Sequence, residues 1–173
     1  QMSRGTFCVD KENKRLYVWN AQDSDLKGLL VEASTRPVLW ESKGEHVHIR
    51  GIRFRYAANP AQSGAAIFWK NSTAEDCVFE RMNSSGASLV GENIVIRRCV
   101  FQDNGQLGFS AGQAHNLLFS ECVVSNNNIK EYPRGWEAGG DKLCLCRGAV
   151  IEKRQFLDNR GVGIWFDIGN ENC

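Results

Sequence analysis

The stretch Phe101-Gln102-Asp103-Asn104-Gly105-Gln106-Leu107-Gly108 returns with few changes as Phe156-Leu157-Asp158-Asn159-Arg160-Gly161-Val162-Gly163. Each copy is an aromatic anchor, an Asp-Asn corner, and a glycine that opens a new run. Working outward finds the same frame three more times. The anchor motifs are Gly51-Ile52-Arg53-Phe54, Asp76-Cys77-Val78-Phe79, Arg98-Cys99-Val100-Phe101, Glu121-Cys122-Val123-Val124 and Lys153-Arg154-Gln155-Phe156, and their last residues are 25, 22, 23 and 32 apart. Apolar runs come before the anchors, as in Asn93-Ile94-Val95-Ile96 and Asn116-Leu117-Leu118-Phe119. A glycine strand follows each anchor, and by pattern these strands start at Gly64, Gly86, Gly108, Gly135 and Gly163.

A repeat of this length marks a solenoid, whose units bury a face only by stacking on one another. Three short strands in about 22 residues, at about 3.3 Å per residue, make a closed turn of roughly 70 Å perimeter, with successive turns about 4.8 Å apart. A leucine-rich repeat has a competing period, but leucine does not dominate here and the asparagine is followed by glycine and another strand. The reading is therefore all-β: a right-handed parallel β-helix of about five coils over 46–173. Residues 1–45 read as a lead-in that packs on the solenoid. In it, Thr6–Asp10 and Arg15–Trp19 form a hairpin around Lys11-Glu12-Asn13-Lys14, and Leu29–Glu32 and Pro37–Trp40 read as two further short strands. No stretch carries the 3.6-residue periodicity of a long helix.

Composition narrows function by exclusion. With 42% apolar and 24% charged residues, the 173-residue chain can build a core. A net charge of +1 with no basic stripe argues against nucleic acid. No apolar run reaches the ~18 residues of a membrane span, and the N-terminus lacks the pattern of a signal peptide. The seven cysteines include no Cys-x-x-Cys, and Cys144-x-Cys146 is too close for a zinc half-site. Cys77, Cys99 and Cys122 fall at one anchor position and read as stacked core thiols. Asn104, Asn127 and Asn159 read as a column of corner amides bonded to the backbone. His46, His48 and His115 have no ligand spacing, so neither metal nor cofactor is expected.

Alternation along the glycine strands then separates inward from outward side chains. Aligned on their glycines, Ala87, Phe109, Trp136 and Ile164 point inward, as do Leu89, Ala111, Ala138 and Phe166. The outward rows are Ala66, Ser88, Ser110, Glu137 and Trp165, and then Phe68, Val90, Gly112, Gly139 and Asp167. An aromatic beside two acids on a flat sheet is the equipment of a sugar groove: an indole stacks on pyranose C–H groups, and carboxylates hold hydroxyls or perform acid/base chemistry. Gly139-Gly140-Asp141-Lys142 lets backbone approach a ligand, and places Asp141 and Lys142 near Glu137. The long corners Tyr56–Ser63 and Ser125–Arg134 would form the rim.

Gly5-Thr6-Phe7-Cys8-Val9-Asp10, Val47-His48-Ile49-Arg50-Gly51-Ile52-Arg53-Phe54, Gly139-Gly140-Asp141-Lys142 and Gly163-Ile164-Trp165-Phe166-Asp167, in that order, resemble the right-handed β-helix carbohydrate-active proteins. The nearest likeness is to β-xylosidase-type β-helix glycoside hydrolases and their bacterial relatives, within the pectate-lyase-like group. The resemblance implies a nucleophile at Asp167 and a general acid/base on the next coil, a place beyond Cys173, unless Glu137 substitutes. It also implies a plant or algal oligo- or polysaccharide partner, an extracellular or periplasmic location, and truncation at both ends. The site expected is Asp167 and Glu137 as catalytic pair, with Trp165, Ser110, Asp141, Lys142 and Arg147 binding substrate. The alternatives are a non-catalytic glycan-binding or adhesive module, an inactive fragment, and a polysaccharide lyase with Lys142 or Arg147 as base. Open solenoid ends carry the further expectation of self-association.

Overall fold

A computed structural model describes residues 2–173. The chain divides into two compact units, one up to Ala33 and one Ser34–Cys173. The first holds the anticipated antiparallel hairpin of β1 (Thr6–Asp10) and β2 (Arg15–Trp19), with Thr6 opposite Trp19 and Asp10 opposite Arg15. Leu29–Glu32 departs from expectation: it is an exposed segment without strand structure.

The second unit is a three-sided parallel β-helix. Its successive coils are β3 (Trp40–Glu41), β4 (His48–Arg50) and β5 (Arg53–Arg55); β6 (Gly64–Phe68), β7 (Thr73–Glu75) and β8 (Val78–Glu80); β9 (Ser85–Glu92), β10 (Val95–Arg97) and β11 (Val100–Gln102); β12 (Leu107–His115), β13 (Leu118–Ser120) and β14 (Val123–Ser125); β15 (Gly139–Cys144), β16 (Val150–Glu152) and β17 (Gln155–Leu157). Each of the three sheets takes one strand per coil and is five strands deep, four turns from first to last. No helix occurs among the described residues, so none is long and apolar enough to cross a membrane.

Repetition is enforced at the corners. Asn71, Asn93 and Asn116 form one column of left-handed residues, Asp76, Arg98, Glu121 and Lys153 a second, and Arg81, Asp103, Asn126 and Asp158 a third. A side chain in this conformation costs about 1 kcal/mol or more. That cost is offset because each turn aims its N–H at the next coil, as in Asn93 to His115 O (2.9 Å) and Arg98 to Ser120 O (3.1 Å). Side chains extend the same columns: Asn116 donates to Asn93 and Asn93 to Asn71, while Arg50 and Arg98 each lie 2.7 Å from Asp76.

Inside, the anchors pair as the repeat requires, Phe54 with Phe79, Phe79 with Phe101, Phe101 with Val124 and Val124 with Phe156. The Phe54, Phe79 and Phe101 rings stack 5.2 and 4.6 Å apart. Cys77, Cys99 and Cys122 are buried free thiols in one core column. Asn104 Nδ2 donates to Asn127 Oδ1 and Asn127 Nδ2 to Asn159 Oδ1, both at 2.9 Å, and each amide also bonds the backbone of the preceding coil.

The glycine sheet differs from the anticipated alignment at two strands. Ala66 pairs with Ala87, so β6 is offset by one residue. Phe109 pairs with Asp141, so Gly140, not Gly135, continues the glycine column, and Arg134–Glu137 is a turn. Both offsets follow the two long corners, where extra residues change the distance from anchor to strand. A slip of one residue exchanges the two faces of a strand. Ala66 and Phe68, expected outside, are buried, and Trp136, expected inside, is exposed.

Candidate functional site

With the register corrected, Ser88, Ser110, Lys142 and Trp165 form one outward row, and Trp69, Val90, Gly112, Cys144 and Asp167 the next. Lys142 is the centre of the cluster. Its ammonium lies 2.9 Å from Asp167 Oδ2, bonds Glu137 Oε1, and sits 5.5 Å from the centroid of the Trp165 ring. Glu137 reaches it from the turn before β15 rather than from the strand.

The electrostatics follow from this contact. The hydrogen bond from Lys142 holds the Asp167 carboxyl below its ordinary range. Burial works to lower the pKa of Lys142, but its bonds to Asp167 and Glu137 outweigh that and leave it raised. The arrangement is thus an ionised carboxylate, a fixed ammonium, a second carboxylate and an indole on one face.

The other expected residues are placed differently. Ser110 lies on the same row one coil before Lys142 and bonds the Ser88 hydroxyl at 3.2 Å. Arg147 pairs with Glu171 at 3.3 Å, past the end of β15. Asp141 requires correction: it is inward, in the column of Ala87, Phe109 and Ile164, and only 1% exposed. Substrate on the outer face cannot reach it. Its Oδ1 accepts the Trp165 N–H at 3.1 Å, in place of a ladder carbonyl, and Oδ2 is unpartnered. Burial pushes its carboxyl up to about 8.

Gln106 is a functional candidate that pattern reading passes over. Its buried amide accepts from Gln62 N (2.7 Å) and Ser84 Oγ (2.8 Å) and donates to Trp136 O (3.1 Å) and Glu137 O (2.9 Å). One side chain therefore ties the first long corner to the turn before β15 and holds the backbone of Glu137. A glutamine in a Gly-Gln-Leu-Gly spacer carries no sequence signal of that role. Trp136, packed on Tyr132 with centroids 5.5 Å apart, adds an exposed indole next to Glu137. Among the described residues, no three His, Cys, Asp or Glu side chains gather as a metal site.

A family model for the right-handed β-helix region matches residues 65–173. The chain belongs to the right-handed β-helix family. The match begins inside β6 and takes in Gln106, Glu137, Lys142, Trp165 and Asp167. No curated protein and no solved structure matches the chain. In this right-handed β-helix the candidate cluster is therefore built within the family region, on its glycine sheet and the turn that precedes β15.

Proposed function

We propose that this right-handed β-helix hydrolyses glycosidic bonds of a plant or algal polysaccharide on the outward face of its glycine strands. The observation that carries the reading is Lys142, bonded at once to Asp167 and Glu137 beside the Trp165 ring. Both carboxylates contact the same ammonium, which holds them close together across one coil spacing. That is compatible with the ~5–5.5 Å spacing of retaining glycosidases.

In this mechanism Asp167, kept ionised by Lys142, attacks the anomeric carbon. The bond to the glycosidic oxygen breaks, and that oxygen takes the proton that Glu137 carries on Oε2, its Oε1 being the oxygen bonded to Lys142. Water then attacks the anomeric carbon, giving its proton to Glu137 and releasing Asp167. Lys142 positions both groups, Trp165 stacks on the sugar, and Ser110 offers a hydroxyl to a neighbouring unit. A lyase route is weaker, because the raised pKa of Lys142 keeps it protonated at neutral pH. The same reading puts the protein outside the cytoplasm, where it would meet polysaccharide.

One observation favours a second reading. An ammonium that occupies both carboxylates also suits a non-catalytic module, in which they only hold sugar hydroxyls. Reducing-sugar release and binding measured together separate the two. For the hydrolase, Asp167→Asn lowers turnover by about a thousandfold while glycan binding stays within a few-fold. Binding without release in the wild-type protein would establish the module. Neither binding nor release from a panel of plant and algal polysaccharides would sink both.

A further inference from the structure

The corrected register exposes a second indole in line with the site. Trp69 follows β6 and takes the outward place opposite Val90, since its neighbour Phe68 pairs with Leu89. It stands on the row that ends at Asp167, four coil spacings away, which at about 4.8 Å each is roughly 19 Å along the solenoid axis. Trp69 is 41% exposed, and its indole is anchored: Nε1 donates to Glu41 Oε1 at 3.1 Å, and Glu41 is itself paired with Lys43. An indole whose polar edge is satisfied by a neighbour, and whose apolar body remains open, is prepared to stack.

The surface between the two indoles is low, with small side chains on both rows: Val90, Gly112 and Cys144 on the row of Trp69, and serines on the other. Ser88 and Ser110 present hydroxyls along one row, and Gly112 on the other has no atom within 4 Å of where a Cβ would stand. Extended pyranose chains advance per sugar by a distance close to the coil spacing of about 4.8 Å. A linear glycan lying parallel to the axis would therefore meet one coil per sugar.

We infer that Trp69 is a distal subsite for the same glycan chain, holding a sugar about four units from the one at Asp167. This rests on the proposed glycan site and assigns it a substrate class: a linear chain of at least five units, bound lengthwise. A branched glycan or a short oligosaccharide would use only the Trp165 end.

Calorimetry on the intact chain, with xylo- and cello-oligosaccharides of two to six units, tests this. Wild-type affinity should rise with length up to five or six units. Trp69→Ala should remove the last part of that rise, a loss of roughly two- to tenfold for five- and six-unit ligands, and leave two-unit ligands unchanged. Trp69→Phe, which keeps an aromatic platform, should restore most of it, and Trp165→Ala should weaken every length. Unchanged length dependence in a folded Trp69→Ala protein, with Trp165→Ala still damaging, would overturn the distal subsite alone. Failure of the wild-type chain to bind any of these ligands, or any polysaccharide of the plant and algal panel, would overturn the glycan site with it.

Discussion

Asp141 stands where the neighbouring coils place Ala87, Phe109 and Ile164, and its burial fixes the sign of a pH effect. Its carboxyl is raised to about 8 in the folded chain from 3.8. Between those values the folded protein keeps the proton and the unfolded chain has released it, so stability falls as pH rises through the window. The loss is complete above about pH 8. Asp141→Asn keeps the acceptor for Trp165 N–H and cannot ionise. In urea melts the variant should exceed wild type by at least about 1 kcal/mol at pH 9, with a smaller gap at pH 5. Parallel stability curves from pH 4 to 9 would show that this carboxyl is not the titrating group. The thiols make a second residue-scale case: neighbouring thiol Cys122 and burial push Cys99 up to about 12. Exposed Cys8 and Cys173 should react with a thiol reagent in the native protein, and Cys99 only after unfolding.

At the scale of the strand, two glycines of the same sheet have opposite requirements. A Cβ on Gly140 would stand 2.2 Å from Gly163 O and 2.9 Å from the Phe156 ring, whereas one on Gly112 would meet nothing within 4 Å. Gly140→Ala should cost about 1–3 kcal/mol, and Gly112→Ala should stay within about 0.5 kcal/mol by chemical denaturation. Equal effects would mean that the last coil gives way without strain. The glycine strands are also where faces were hardest to read. The anchors end a recurring four-residue motif, and the cysteines within it fall 22 and 23 residues apart, so their inward positions were legible in the sequence. The distance from anchor to glycine varies with loop length, and extra residues in the corner before β15 carried Asp141 to the wrong side while those in the corner before β6 hid Trp69.

Across the whole molecule, burial is greatest in the middle coils and declines toward the last. Phe79 and Phe101 are fully buried, whereas Phe166 is 50% exposed and Ile168 70%. The segment carrying Trp165 and Asp167 is joined to β15 by isolated bridges rather than a continuous ladder. In a solenoid each coil is stabilised by its neighbours, so hydrogen exchange should be slowest in β8–β13 and fastest beyond β15. The exposed apolar side chains of that last coil give reason to expect self-association of this chain, read as a concentration-dependent mass in light scattering. A constant monomer mass from micromolar to near-millimolar protein would count against it.

The sequence by itself determined the hairpin, the three-strand coil, the phenylalanine, cysteine and asparagine columns, and an aromatic and an acid side by side in Trp165-Phe166-Asp167. It could do so because each coil bonds to the next through the same backbone positions, which demand the same residue types at matching places in every coil. Tertiary structure alone decided that Asp141 is core, that Gln106 holds Glu137 in place, and that Lys142 gathers two carboxylates. Those outcomes depend on the path of two aperiodic corners and on contacts between residues of neighbouring coils, and no local pattern records either.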